Sequence, residues 1–204
     1  MERKHDDQTL FNALEHIVYE IRMFVDLTFT GMNYPEPVQF AILEAWAMHL
    51  RGIESMLEER PKRDDDVLIS HYGPIDIKRL VEPSVRKRIN GEITHLTTRR
   101  MSDASEKGWN RVEIFRQAWP GIDKIIDVLA EWVNTHQPAS PRKPELVDLR
   151  AHGSLLHAGA TSGALLENLK GGEEADMPHL AVTHTYAYPP ESRSDSHNRN
   201  NPFL

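Results

Sequence analysis

The sequence predicts an all-α protein, a four-helix bundle of the up-down type followed by a largely disordered C-terminal tail. Apolar residues recur at intervals of three or four through four long segments, which is the spacing of one face of an α-helix. Strand-like alternation is confined to one short stretch near the C-terminus. From Pro138 onward, Pro, Gly, Ser, Asn and charged residues become frequent, a composition typical of linkers. These observations predict a helical bundle domain over residues 7–136 and a flexible tail over residues 138–204.

The first two helices are predicted from continuous apolar faces. In QTLFNALEHIVYEIRMFVDLTF the face consists of Leu10, Leu14, Ile17, Ile21, Phe24 and Thr28. Asp6 or Asp7 supplies a side-chain oxygen that caps the first turn, and Pro35 and Pro37 end the helix within GMNYPEP. The second helix, VQFAILEAWAMHLRGIESMLEER, closes at Pro61. Its apolar stripe consists of Leu43, Trp46, Leu50, Ile53 and Leu57.

The third and fourth helices follow a long irregular connection. The third begins near Glu82 and Pro83, because proline is tolerated in a first turn, and continues as an α-helix to about Met101. The fourth lies in WNRVEIFRQAWPGIDKIIDVLAEWV, where Pro120-Gly121 predicts a kink or a break into two pieces. Its buried stripe is predicted to consist of Val112, Phe115, Trp119, Ile122, Ile126, Leu129 and Val133. The tail islands SGALLENL and AVTHTYAY can bury little area alone.

Composition excludes several classes of function. The 204-residue chain has a formal net charge of −7 and a pI of about 5.9, so contact with nucleic acid requires a local basic patch. The absence of cysteine excludes disulfides and thiolate metal sites. There is no Gly-rich phosphate loop, nucleophile elbow or zinc-ligand spacing. With no apolar signal core and no run approaching the ~18 apolar residues of a membrane span, we expect a soluble, cytoplasmic protein without membrane contact.

The segment RINGEITHLTTRR carries a polar stripe on the third predicted helix. Because seven residues of α-helix turn the chain through about 700°, His95 returns to within ~20° of Arg88. Glu92 lies between them and Arg99 lies one turn beyond. A separate column that must face the core consists of Ile89, Ile93 and Leu96. This is also the most basic part of the chain, with Arg86, Lys87, Arg88, Arg99 and Arg100.

The stripe has two interpretations. In the first, His95 transfers a proton near neutral pH and the guanidinium fork of Arg88 holds a phosphate whose charge grows in the transition state. These two groups suffice for RNA cleavage without a metal or cofactor. In the second interpretation, Arg88, Glu92, His95 and Arg99 form an ordinary solvated face, with i,i+4 charge pairs that contribute ~0.2–0.5 kcal/mol each.

The spacing of Arg88 and His95 resembles the signature of HEPN-domain proteins, in which an Arg is followed after four to six residues by a His on a late helix of an α-helical bundle. Here six residues intervene. Many members of that family are ribonucleases of toxin–antitoxin, CRISPR and phage-defence systems. The resemblance covers residues 7 to about 136 and implies catalytic roles for Arg88 and His95, with RNA as the substrate. We therefore expect a ribonuclease of this kind, or a degenerate relative that binds RNA or a nucleotide.

The resemblance also implies partners and further contacts. Because the family pairs two motifs across a dimer interface, we expect a homodimer, and a cognate inhibitor protein is a further candidate partner. Polar residues near the arginine are common in the family, and Asn90 could fill that role. Arg86, Lys87 and Arg99 are the remaining candidates for substrate binding. The alternative function, from a different class, is a non-catalytic helical module that binds another protein.

Other polar groups are weaker candidates. Asp64, Asp65, Asp66 and His71 share a loop and could hold a divalent metal, although such a run is commonly a solvated loop or a helix cap. An intrabundle metal site could combine His16, His49 and His95 with Glu15 or Glu44, but the Glu-x-x-His pairing of such bundles is absent. No defined site is expected at the tail histidines His152, His157, His179 and His184. The predicted core anchors are Trp46, Trp109, Trp119 and Trp132.

Overall fold

The computed structural model of the protein describes residues 5–30, 34–94, 109–137 and 139–162, and every regular element within these ranges is helical. The α-helices of these ranges are α1 (Asp7–Phe29), α2 (Glu36–Ser55), α3 (Pro83–Arg88), α4 (Arg111–His136) and α5 (Arg142–Ser162). A 3₁₀-helix, Ile69–His71, lies in the α2–α3 connection, and a π-helix, Ile89–Thr94, continues α3. The all-α prediction is therefore confirmed for these residues. The up-down arrangement of four helices stays a prediction, since five α-helices are present in the described ranges.

Helices α1 and α2 form where the apolar periodicity predicts them. Asp6 caps α1 by accepting a 2.7 Å hydrogen bond from the backbone N–H of Thr9, and hydrogen bonding from Thr9 lowers the pKa of Asp6. The predicted face of α1 is buried at Leu10, Leu14, Ile17, Ile21, Phe24 and Thr28. On α2 the buried positions include Trp46, Leu50 and Ile53, whereas Leu43 is only partly buried. The helix ends at Ser55, so its predicted continuation to Pro61 is wrong, and Leu57 is buried just beyond the helix end.

The α1–α2 contact contains a short buried hydrogen-bond chain. The Phe24 and Trp46 rings stack with centroids 5.7 Å apart. The indole Nε1–H of Trp46 donates to Thr28 Oγ1 at 3.0 Å, and the Thr28 hydroxyl donates to the Phe24 carbonyl at 2.7 Å. The polar atoms of a buried Trp and a buried Thr are thus satisfied without solvent, which permits Thr28 on an otherwise apolar face.

Helix α4 runs without a break through Pro120-Gly121, so the predicted division into two pieces is wrong. Pro120 is exposed, whereas Trp119 and Ile122 on either side are buried. Burial of the flanking residues on one face offsets the missing backbone N–H, which otherwise costs a helix about 3 kcal/mol. Gly121 has a packing role: a Cβ there would lie 2.6 Å from Leu80 Cδ2, so the residue allows the loop before α3 to approach α4.

Helix α5 occupies part of the chain that the sequence predicts to be a flexible tail beginning at residue 138. That prediction does not hold for residues 142–162, which form a helix packed on α4 and α1. Leu146 and Leu149 are buried, and Arg150 bridges Asp123 and Asp127 of α4 with contacts of 2.6 Å to each. The composition of this helix resembles that of a linker because its apolar face is narrow and several of its contacts are ionic. The predicted tail beyond Ser162 lies outside the described residues.

The long α2–α3 connection is fastened to the core at Tyr72. Its side chain is buried, and the phenolic hydroxyl donates a 2.8 Å hydrogen bond to the Leu10 carbonyl of α1. Burial raises the pKa of Tyr72 well above its ordinary value. The ring also meets Trp132 of α4 edge-on, with centroids 5.3 Å apart. One tyrosine therefore joins the connection to α1 and α4.

All described residues belong to one structural unit, Met1–Lys170. Its largest buried side chains come from α1, α2 and α4, with additional ones from the α2–α3 connection and α5. None of the helices in the described ranges has the length together with the apolar content needed to cross a membrane.

Candidate functional site around Arg88

The segment that carries the candidate site changes helix type at Ile89. Residues Pro83–Arg88 are α-helical, whereas Ile89–Thr94 form a π-helix in which backbone hydrogen bonds run from i to i+5. Ile89 and Ile93 are buried, which confirms those two members of the predicted apolar column. A π-helix places more residues in each turn than an α-helix, so the α-helical spacing used to align Arg88 with His95 is wrong for this segment.

Three residues of the predicted polar and apolar stripes lie outside the described residues, namely His95, Leu96 and Arg99, and so does Arg100 of the basic segment. The catalytic role of His95 and the substrate contact of Arg99 therefore stay predictions. The described part of the candidate site consists of Arg88 and its neighbours.

Among the described residues, Glu92 and Trp109 contact the guanidinium of Arg88. Its Nε–H donates to Glu92 Oε1 at 3.0 Å and its Nη2–H donates to Glu92 Oε2 at 3.2 Å, which is a bidentate pair. The guanidinium carbon lies 4.2 Å from the centroid of the Trp109 ring, a cation–π contact. The side chains of Arg88 and Glu92 remain 33% and 19% exposed, so the pair reaches the surface.

Trp109 connects Arg88 to the protein core. It is partly buried just before α4, and its ring meets Trp46 at 6.2 Å and an interplanar angle of 67°. Trp46 itself is fully buried on α2. The prediction that Trp109 is a core anchor does not include its contact with Arg88. Sequence periodicity gives no indication of that contact, because the two residues lie on different elements.

Arg86 points towards α2. Its Nη2–H donates to Glu58 Oε1 at 3.1 Å, and Nη1 lies 3.8 Å from Glu54 Oε2. A hydrogen bond from Lys62, together with the charges of Lys62 and Arg86, holds the pKa of Glu58 below its ordinary value. The predicted substrate contact of Arg86 would therefore require exchange of Glu58 for a phosphate.

Glu54 is a buried carboxylate that the sequence analysis does not single out. Its side chain is 4% exposed, and Oε1 accepts hydrogen bonds from the backbone N–H groups of Leu80 and Val81 at 2.8 and 3.1 Å. Its other oxygen, Oε2, accepts no hydrogen bond from the described residues and has Arg86 as a neighbouring cation. Glu54 thus determines where the connection ends and α3 begins, directly before the basic segment.

The remaining candidates for substrate binding differ in accessibility. Lys87 is exposed on α3, whereas the carboxamide oxygen of Asn90 is shielded from solvent. A concavity of about 500 Å³ lies beside the start of α3, and Arg88 does not line it. Its lining residues are Arg79, Leu80, Val81, Glu82, Pro83 and Gln117. A ligand of Arg88 would consequently bind at an open surface rather than in this concavity.

The loop that contains Asp64, Asp65, Asp66 and His71 is held by hydrogen bonds between side chains and backbone N–H groups of the same loop. Asp66 Oδ2 accepts hydrogen bonds from the backbone N–H groups of Lys62 and Arg63 at 2.7 and 2.8 Å, and the bond from Arg63 is the largest cause of the lowered pKa of Asp66. His71 Nδ1 accepts from the Leu68 N–H at 3.2 Å. Within the described ranges, no group of three or more His, Asp or Glu side chains is arranged to hold a metal ion.

Histidines elsewhere form contacts between helices. His49 on α2 pairs with Glu20 on α1 at 2.8 Å. His152 on α5 lies 3.3 Å from Asp26, and His157 lies 3.2 Å from the Arg116 carbonyl. The prediction that these two α5 histidines fall in flexible sequence is therefore wrong, whereas His179 and His184 lie outside the described residues.

No known family matches this chain, and no curated protein or solved structure is significantly similar to it. A planar arginine with a bidentate carboxylate on one edge and an indole against one face is suited to binding an oxyanion in the plane of the guanidinium.

Proposed function

We propose that the protein is a metal-independent ribonuclease of the HEPN type, in which Arg88 binds a phosphate of RNA and His95 transfers a proton. The observation that carries the proposal is the fixed orientation of Arg88, since Glu92 and Trp109 restrict its guanidinium before any ligand binds. A preorganised group loses less conformational freedom on binding and stabilises developing charge without reorganisation.

The reaction that fits these groups is attack of the RNA 2′-hydroxyl on the adjacent phosphorus. His95 would accept the 2′-hydroxyl proton as the new P–O bond forms, and Arg88 would stabilise the additional negative charge on the phosphate oxygens. The P–O5′ bond then breaks and the 5′ oxygen takes up a proton. The products are a 2′,3′-cyclic phosphate and a 5′-hydroxyl, with no metal or cofactor consumed. Lys87, exposed beside Arg88, would contact a neighbouring phosphate.

The exposed face of α2 supports assembly with a second copy of this chain. The α2 residues that share this stripe are Pro37, Phe40, Ala41, Glu44, Met48, Arg51 and Ser55, and all are exposed. Phe40 and Met48 are 56% and 50% exposed. Glu44 and Arg51 flank Met48, so an antiparallel contact between two α2 helices places each Glu44 opposite Arg51 of the partner subunit. Such a two-fold contact is isologous and closed.

The catalytic proposal is tested with single substitutions assayed on RNA in the presence of EDTA. Arg88→Ala and His95→Ala are each expected to abolish cleavage, and Arg88→Ala should also weaken RNA binding because it removes a charge-assisted contact worth ~1.5–3 kcal/mol. Arg60→Ala is the matched control, since it removes an equal charge from an exposed arginine. Circular dichroism and melting curves verify that each variant is folded. The wild-type products should carry 2′,3′-cyclic phosphate ends.

Two results would contradict the catalytic proposal. Undiminished cleavage by folded His95→Ala would remove the proton-transfer step, and complete dependence on a divalent ion would transfer the chemistry to a metal.

A second candidate function is a non-catalytic interaction module, and the same exposed face of α2 favours it. Besides Phe40 and Met48 on this face, Tyr34 and Val38 near the start of α2 are 53% and 42% exposed. Exposed large apolar side chains are typical of a contact with another protein when they form a contiguous patch.

Light scattering distinguishes a self-contact from a contact with a different protein. If α2 binds a second copy, the wild type has the mass of a dimer and Met48→Glu shifts it to a monomer. Leu155→Glu is the control, because Leu155 is 72% exposed on α5 and away from this face. A monomeric wild type that cleaves no RNA would favour the interaction module over a ribonuclease whose active site is formed by two subunits.

A further inference from the structure

Glu92 occupies the Nε–Nη2 edge of Arg88, one of the two edges through which a guanidinium can bind a phosphate by two hydrogen bonds. Both carboxylate oxygens face the guanidinium, at 3.0 Å from Nε and 3.2 Å from Nη2. Phosphate oxygens match the same pair of donors, because their spacing resembles that of a carboxylate. A phosphate that binds in this way must replace Glu92 at these donors.

Trp109 restrains the plane of the guanidinium. Its ring covers one face of the guanidinium at 4.2 Å, and it is anchored against Trp46 in the core. An oxyanion binds a guanidinium in the plane of its N–H donors, and not against the face that the Trp109 ring covers. The indole therefore keeps that plane in place while Glu92 and a ligand exchange, and the exchange needs no movement of α2 or α4.

We propose that Glu92 sets the ligand affinity of this site by competing with the RNA phosphate for Arg88. The inference rests on the proposed function, in which the ligand is a phosphodiester. In the unbound protein Glu92 neutralises Arg88 and prevents capture of stray anions. RNA displaces the carboxylate because it offers several phosphates at once, to Arg88 and to exposed Lys87. Removal of the Glu92 charge should therefore strengthen binding rather than weaken it.

The chain contains a closely matched control for this pair. On α4, Glu113 accepts hydrogen bonds from Nε and Nη2 of Arg116 at 2.8 and 2.7 Å, which is the same bidentate arrangement on an exposed helix surface. Glu113→Gln and Glu92→Gln change the net charge equally and each weakens one Arg–Glu pair. A difference between them therefore reports the location of the ligand and not the charge of the protein.

The test measures binding of a 2′-O-methyl RNA oligonucleotide, which lacks the attacking hydroxyl and cannot be cleaved by the proposed reaction. Glu92→Gln is expected to bind on the order of tenfold more tightly than both the wild type and Glu113→Gln, the change that corresponds to about one charge-assisted hydrogen bond. Adding Arg88→Lys to Glu92→Gln should remove the gain, because lysine keeps the charge but lacks the fork. Glu92→Asp, which keeps the charge on a shorter side chain, should give a smaller gain than Glu92→Gln.

The outcomes separate this inference from the proposed function. If folded Glu92→Gln binds no more tightly than Glu113→Gln, the competition is overturned even when the wild type cleaves RNA. If Glu92→Gln shows the Arg88-dependent gain while no variant cleaves RNA, the competition stands and the nuclease activity does not. A gain that survives Arg88→Lys would also overturn the inference, because the ligand would then bind elsewhere.

Discussion

The indole of Trp119 lies directly against the backbone of Gly153, which brings α4 and α5 into close contact. A Cβ atom at Gly153 would lie 1.9 Å from Trp119 Cη2 and 2.2 Å from Cζ3, far inside the contact distance of carbon atoms that are not bonded to each other. Trp119 is 3% exposed in this position. The absence of a side chain at Gly153 therefore allows α5 to pack closely on α4.

Gly153→Ala should destabilise the protein by about 3 kcal/mol, because the new methyl group must displace a buried indole or push α5 away from α4. Urea unfolding measures the loss. Gly159→Ala on the same helix is the control, and it should be neutral or stabilising by up to ~1 kcal/mol through helix propensity. Equal stability of the two variants would show that α5 does not pack on Trp119.

Truncation tests the boundary of the folded domain. A chain that ends at Gln137 loses α5, with buried Leu146 and Leu149 and the Arg150 bridge to α4. We expect its melting temperature to fall on the order of 10 °C, since burial of each leucine contributes ~1.5–3 kcal/mol. A chain that ends at Lys170, the last residue of the structural unit, should melt close to the full chain. Identical melting temperatures of both truncated chains would contradict this expectation and place the end of the folded domain near residue 138, as the sequence predicts.

Glu54→Leu should destabilise the protein by about 2 kcal/mol or more, because two backbone N–H groups, at Leu80 and Val81, lose their acceptor inside the protein. Glu54→Gln keeps a carbonyl oxygen for these donors and should cost less. Urea unfolding at neutral pH ranks the three proteins. If leucine is tolerated as well as glutamine, the carboxylate does not hold the connection in place.

Acid should weaken the protein partly through Glu58. Its folded-state pKa lies below the ordinary value of 4.5, owing first to the hydrogen bond from Lys62. A depressed carboxylate pKa contributes stability above pH 4.5, and this contribution is lost as the pH falls through the lower folded-state value. Glu58→Gln should therefore show a shallower loss of stability below pH 4.5 than the wild type, measured by urea unfolding at several pH values.

The matched control for Glu58→Gln is Glu131→Gln, at an exposed carboxylate of α4 whose side chain forms no ion pair within the described ranges. It should leave the acid dependence unchanged. An equal effect of both substitutions would assign the acid sensitivity to overall charge rather than to the pair of Glu58 with Lys62.

Local periodicity was sufficient to locate three of the helices and most of their buried positions. The stripe from Leu10 to Thr28 on α1 is buried as predicted, and so are the predicted positions of α4 from Val112 to Val133. It failed at α5, whose apolar face is too narrow to be distinguished from linker sequence. It also failed at Ile89, where a π-helix replaces the α-helix that the spacing of Arg88 and His95 assumes.

Helix location and the inward face of each helix follow from residues close together in the chain, because backbone hydrogen bonds and side-chain spacing are local. The partners of individual side chains do not. Arg88 on α3 meets Trp109 beside α4, Glu54 on α2 receives the N–H groups of Leu80 and Val81, and α5 docks through Gly153. Each of these contacts joins residues that only chain folding brings together, so packing and electrostatics between helices determine them. The candidate arginine was visible in the sequence, whereas the indole and the orientation that hold it were decided by the tertiary structure.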